Sequence, residues 1–359
     1  MTVQQAATRG PAARAEVPVL PGARGPLSRA VMDTLAGRPP GPSDTLTAVA
    51  SADPYGEDLQ IALHTCYELH YRGFTDVDPD WEWDPDLLRL RGAMEAVFLD
   101  ALRRDAELRD PGDVDTGDLN TGDVDGALDE LLVEPVDGHG ITHHLQDEGE
   151  RWHLLEHAAH RSVYHLKEAD PHAWVVPRLR GRAKTALVAV EHDEFGGGRP
   201  EMIHQGLYAD LLDDLGLDSS YGAYVDAAPA VMLATVNMMS MFGLRRSLRG
   251  ALVGHFAAAE ITTAPSARRM ARALERLGGG PRALRFYTEH IEADAVHEQV
   301  LRYDVIGGLL ADEPDLAPDV VLGIRATNLL EDRLADHMLG CWRAGRTSLR
   351  HPLPGTVGR

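Results

Sequence analysis

The densest run of side chains able to do chemistry is FYTEHIEADAVHEQVLRYD, in which His290, Asp294 and His297 stand four and three residues apart. At about 100° per residue, a helix places all three within roughly 60° of one another. Two imidazoles and a carboxylate on one stripe form a donor set suited to non-haem iron, whereas an all-oxygen set would suit magnesium or calcium. Ile291 and Leu301 lie near the same face and turn the stripe inward. A solvated, acid-rich helix could carry the same three residues, and the chain has 17 histidines. The trio therefore needs support from elsewhere in the sequence.

A second cluster lies in VAVEHDEFGGGRPEMIHQGLYADLL. Glu194 ends an apolar helical stretch, and His204 follows ten residues later. One straight helix would leave the two about 80° apart. Gly196, Gly197 and Gly198 can supply a bend between them, since glycine tolerates backbone angles that other residues avoid. Glu201 competes with Glu194, because Glu201-Met-Ile-His204 has the Glu-x-x-His spacing of ferritin-like di-iron bundles and Asp294-Ala-Val-His297 echoes it. Spacing alone does not choose between them. The third piece, HRSVYHLKEADPHAWVVPRL, carries Glu168 at the end of a helical stretch, with His165 one turn earlier. Alone, Glu168 reads as an ordinary surface carboxylate.

The elements that must position these groups are helical. Residues 1–45 are rich in Pro, Gly, Ala and Arg without periodicity, and a mostly disordered lead-in is expected. A helical extension is expected over 46–138, with apolar residues three and four apart in GEDLQIALHTCYELHYRGF and with Asp84 capping a helix that starts at Pro85. Within it, 105–125 reads as an acidic, Gly-punctuated loop. No register there fits a calcium loop, because Asp123 falls where glycine is required. The domain bearing the clusters is expected over 139–345, with helical stretches near 139–170, 177–195, 200–215, 228–243, 246–263, 266–277, 281–311 and 316–345, then a tail over 346–359. No alternation of strand type stands out, and an all-α fold follows.

Composition narrows the partners. The chain has 359 residues and a formal charge of −21, which argues against nucleic-acid and anionic-membrane partners. Lysine occurs only at 167 and 184. Two distant cysteines, Cys66 and Cys341, make a disulfide framework or a thiolate zinc site unexpected, and a reducing cytoplasm is the simpler expectation. The most apolar run, 227–244, is broken by Pro229, Asn237 and Ser240 and reads as a buried helix, not a membrane span.

Taken together, YHLKEADPHAW, DEFGGGRPEMIHQ and HIEADAVHEQV resemble the haem-oxygenase-like di-iron oxidases and oxygenases, the bacterial iron-containing redox enzyme family. The likeness covers about residues 55–345, although nothing before about 140 contributes a motif. It implies a haem-oxygenase-like helical bundle and a ligand set of Glu168, Glu194, His204, His290, Asp294 and His297, favouring Glu194 over Glu201. It further implies two iron ions, weakly or transiently held, with O2 as co-substrate and a small organic substrate. The reaction would be amine N-oxygenation, or oxidative C–C cleavage or desaturation of an amino acid or fatty acid, in secondary metabolism. An external electron donor and a homodimer are compatible with it. Two other classes stay open: a ferritin-like iron-oxidising or storage protein using Glu201, and a metal-free module of the same fold that binds a small molecule.

Other residues weigh less. Glu260 and His255 sit in the apolar run RGALVGHFAAAEITT, where a buried glutamate must be paired or do chemistry. Pairing with an Arg is the expectation for Glu260, with a role at the metal as the alternative. Packing is expected for Tyr164, His165, His172 and Trp174, and core filling for Met232, Met238, Met239, Met241 and Phe242. Glu68, His70 and Tyr71 have no evident partner and read as surface or packing residues.

Overall fold

The computed structural model describes residues 17–38, 45–107, 121–133 and 138–354, without the side chains of 45, 121 and 292–296. Among these residues every regular element is helical and no strand occurs, in agreement with the all-α expectation. The N-terminal part comprises α1 (Pro26–Leu35), α2 (Thr45–Ala50), α3 (Glu57–Glu68), α4 (Pro85–Glu107) and α5 (Thr121–Leu131). There follow α6 (Ile141–Asp147), α7 (Arg151–His165), α8 (Asp170–Ala173), α9 (Gly181–Glu194) and α10 (His204–Leu215). The chain continues through α11 (Ala230–Leu244), α12 (Arg249–Leu277), α13 (Pro281–Gln299), α14 (Gly307–Asp312) and α15 (Ala317–Arg343).

Several boundaries depart from the sequence reading, for local reasons. Within the lead-in, α1 is folded because Asp58 of α3 accepts from the amides of Leu27 and Ser28 and so caps its first turn. Residues 1–16 and 39–44 lie outside the described residues. Most of the expected acidic loop does too, but its ends are helix: α4 runs through Glu107 and α5 starts at Thr121. Asp84 does cap α4, its Oδ1 accepting from Leu87 N at 2.8 Å. The stretch 139–170 splits into α6, α7 and α8. By contrast α12 is unbroken through Pro265. Proline removes one ladder bond there, but Ile261, Ala264, Ala267 and Met270 remain buried along the helix and hold it in place.

The long α12 is the centre of the bundle, packed against α13 on one side and α15 on another. Its approach to α15 depends on small residues. A Cβ at Gly254 would fall 2.0 Å from Val320 O, and one at Gly323 would fall 2.0 Å from Ala251 O. The buried apolar residues form two main clusters. One includes Val190, Ala257, Ile261 and Leu301, the other Leu166, Leu207, Phe286 and Tyr208. The residues that could hold a metal sit beside members of both clusters. No helix among the described residues is long and apolar enough to cross a membrane.

Candidate metal centre

Four helix ends or helix faces bring the sequence candidates together. Glu194 is the last residue of α9 and His204 the first of α10. The intervening turn passes through Gly196, Gly197 and Gly198 at φ +74°, +61° and +77°, so the three glycines supply the reversal that a straight helix lacks. A side chain at Gly196 would in addition meet Ile203 N and Met202 C at 2.7 Å. The result sets Glu194 Oε2 2.8 Å from His204 Nδ1. Glu168 arrives from the turn after α7. The next residue, Ala169, is buried and has φ +72°, an uncommon angle for a residue with a side chain.

Ligand atoms of Glu168, Glu194, His204 and His290 all lie within 4.8 Å of one another, and every one of these residues is buried. A second group, Glu194, Glu260 and His297, meets the same limit and shares Glu194 with the first. His290 and His297 thus belong to different groups. Seven residues of helix rise about 10 Å, so one stripe of α13 can serve two adjacent positions. Asp294 lies in α13 between them, but its side chain is outside the described residues. Glu201 is exposed, on the short turn Pro200–Met202, and belongs to neither group.

The surroundings fix how these groups present themselves. His290 Nδ1 lies 2.7 Å from Phe286 O, and since a carbonyl only accepts, Nδ1 carries the proton. Nε2 is then the lone-pair nitrogen, and it faces Glu168 Oε1 at 3.6 Å. His165 Nδ1 lies 2.8 Å from the same Glu168 oxygen. Burial alone would raise the Glu168 carboxyl, but His165 and then His290 overcome it and hold the group well below the ordinary carboxylate range. Burial likewise works to lower His204, and the Glu194 carboxylate overcomes that and raises it. His297 sits between two acids, Nδ1 at 2.9 Å from Glu260 Oε2 and Nε2 at 3.3 Å from Asp193 Oδ2.

Glu168 Oε2 and Glu194 Oε1 are buried without a hydrogen-bond partner. Unsatisfied buried carboxylate atoms are costly unless something else takes their lone pairs. A divalent cation meets that need, and a mixed N/O donor set suits iron. The residues present therefore fit iron, and Glu194 is common to the two groups. Sequence reasoning gave Glu260 a pairing role, whereas the structure places it against His297 within the second group. The available signal was the single acid in an otherwise apolar run.

Supporting contacts come from the N-terminal helices. Lys167, next to Glu168, is 1% exposed and pairs with Glu68 of α3, which is 3% exposed. Tyr221 donates to the other Glu68 oxygen at 2.5 Å. His70 meets Glu82 and Arg91, and the Tyr71 and Ser240 hydroxyls are 3.0 Å apart. Glu68, His70 and Tyr71 are thus partnered, not idle. Beside His204 a cavity of about 280 Å³ opens outward, lined by Asp193, Arg199, Met202 and Glu289.

Comparison with known proteins accords with this geometry. Residues 155–332 match the family described as iron-containing redox enzyme, and the match spans Glu168, Glu194, His204, Glu260, His290 and His297. Over that half of its length the chain belongs to the iron-containing redox enzyme family. It is also similar to a nitrosourea synthase of Streptomyces achromogenes subsp. streptozoticus, at 27% identity over 166 residues. The aligned stretch is 46% of this chain and 35% of that protein.

Proposed function

We propose that this protein is a di-iron, O2-dependent oxygenase acting on a nitrogen atom of a small organic substrate. The observation that carries the reading is Glu194, whose two carboxylate oxygens face separate groups of potential ligands: Oε2 towards His204 and Oε1 towards His297, at 2.8 and 3.8 Å. Ferrous iron, when bound, supplies the electrons for reducing O2. The protein's own part is to hold the donors and limit water. Glu168, His204 and His290 would hold one ion, Glu260 and His297 the other, with Asp294 assigned there by its place on α13. His165 and the Phe286 carbonyl orient Glu168 and His290. The cavity beside His204 gives a small substrate a route inward. Oxidation at nitrogen is favoured over C–C cleavage by the relative's name, since a nitrosourea carries a nitroso group. Secondary metabolism is the setting that the same relative suggests.

The test is anaerobic loading with ferrous iron, metal counting, and O2 consumption with and without candidate amines. Iron uptake with amine-stimulated O2 consumption supports the proposal. O2 consumption driven by ferrous iron alone, with ferric iron accumulating, would support an iron-oxidising role instead. No iron uptake would end it.

A further inference from the structure

His297 is bracketed by two consecutive residues of α9, and the two contacts are not equivalent. The ring is buried, at 2% exposed. Its Nδ1 lies among the acids of the second group, 2.9 Å from Glu260 Oε2 and 3.8 Å from Glu194 Oε1. Its Nε2 instead meets Asp193 Oδ2 at 3.3 Å. Asp193 belongs to neither group of potential ligands, and its side chain is 59% exposed where it lines the cavity beside His204. Adjacent residues of a helix point about 100° apart. The last turn of α9 can therefore send Glu194 inward, at 4% exposed, and leave Asp193 at the rim. Both still reach His297 of α13.

A neutral imidazole offers a metal one lone pair, and its other nitrogen carries the hydrogen. Whatever accepts that hydrogen fixes which nitrogen is free to ligate. For His290 the Phe286 carbonyl takes Nδ1–H and leaves Nε2 for a metal. For His297 the arrangement is reversed. Nδ1 is the nitrogen beside Glu194 and Glu260, so a metal held with those acids takes Nδ1, and the hydrogen then resides on Nε2. That N–H needs an acceptor, and the Asp193 carboxylate stands within reach of it. A metal placed between Nε2 and Asp193 instead has no third donor, since no group of potential ligands among the described residues includes Asp193.

We propose that Asp193 is a positioning residue, accepting from His297 Nε2–H and so presenting Nδ1 to the second iron. The two histidines of α13 then ligate through opposite ring nitrogens, His290 through Nε2 and His297 through Nδ1. This rests on the di-iron reading and adds to it the residue that orients one half of the centre. Asp193 touches neither the metal nor the substrate in this role. Water at the rim can replace part of the bond, which puts the expected effect at the lower end of the roughly 10–100-fold in metal affinity that such partners contribute.

The experiment is an anaerobic titration of the full chain with ferrous iron, counting bound metal, for the wild type, Asp193→Ala and Asp193→Asn. Asp193→Ala should weaken one of the two positions about tenfold and leave the other as it was. Asp193→Asn keeps an acceptor oxygen without the charge and should stay within about threefold of the wild type. Unchanged affinity in Asp193→Ala would overturn the proposal, as would equal weakening of both positions. An Asn variant as weak as the Ala variant would also overturn it, because charge and not orientation would then be the cause. A second readout reports the ligating nitrogen directly. Long-range proton–nitrogen spectra of the zinc-loaded protein, with isotopically labelled histidine, should show His297 bound through Nδ1 with its hydrogen on Nε2, and His290 the other way round. Ligation of His297 through Nε2 would contradict the assignment. The two levels separate cleanly. The di-iron reading fails if the wild type takes up no iron, whereas this inference fails if a wild type loaded with two irons has a second position indifferent to Asp193→Ala.

Discussion

Glu68→Ala is expected to destabilise the protein more than any other single change in the N-terminal helices, although Glu68 touches none of the residues grouped at the metal site. The variant leaves the Lys167 ammonium, 1% exposed, without its counter-ion. It also deprives the Tyr221 hydroxyl of its acceptor. Breaking a buried pair from one side costs about 3–5 kcal/mol, a large share of the roughly 5–15 kcal/mol that holds a typical domain folded. Replacing both charges, as Glu68→Leu with Lys167→Met, removes the stranded ion and should bring the loss back to within about 2 kcal/mol. Burial alone would raise the Glu68 carboxyl, but Lys167 overcomes it and holds the group low. A lowered folded-state value contributes stability above the ordinary carboxylate range that is lost as the pH falls through it. The single variant should therefore show a shallower acid limb. Urea unfolding of the metal-free protein, followed by tryptophan fluorescence at two pH values, measures all of this. A loss under about 1 kcal/mol for Glu68→Ala, or a double variant as unstable as the single one, would refute the reasoning.

Further expectations follow from the same structure. Gly196→Ala forces a Cβ against the backbone at Met202 and Ile203 and should displace His204, lowering iron content in a metal count while helicity by circular dichroism is kept. Glu260→Ala and His290→Ala should each weaken a different group, so each should lose about one iron of the pair; loss of both from Glu260→Ala would contradict the division. Burial holds His64 and His160 down to about 3 and His255 to about 4, keeping them neutral in the fold. Their folded values lie below the unfolded one, so stability is full above about pH 6.5 and falls by roughly 1.4 kcal/mol per unit per histidine towards pH 4. A stability that is flat from pH 7 to 4.5 in denaturant titrations would contradict this.

The parts of the site that were legible in the sequence are those held by local spacing. His290 and His297 share a helical stripe because the helix repeat dictates it, and the three glycines announced the turn that brings His204 back to Glu194. Whether His290 and His297 serve one ion or two depends on rise along the axis and on which helices face α13, and spacing around the helix does not report that. Glu260 comes from a helix 30 residues earlier in the chain than His290, and only packing of α12 on α13 brings it to His297. Glu68 and Lys167 illustrate the same limit: 99 residues separate them, and no local pattern records that α3 lies beside the turn after α7. The helical class was legible throughout, whereas boundaries failed where tertiary contacts decide, as at Pro265 and in α1.

The most direct test of the shared carboxylate is iron stoichiometry after anaerobic loading of the wild type, Glu194→Ala and Glu201→Ala. The expected result is about two irons per chain in the wild type and in Glu201→Ala, with both positions weakened together in Glu194→Ala. Full loading of Glu194→Ala, or loss of iron from Glu201→Ala, would contradict a centre built around Glu194.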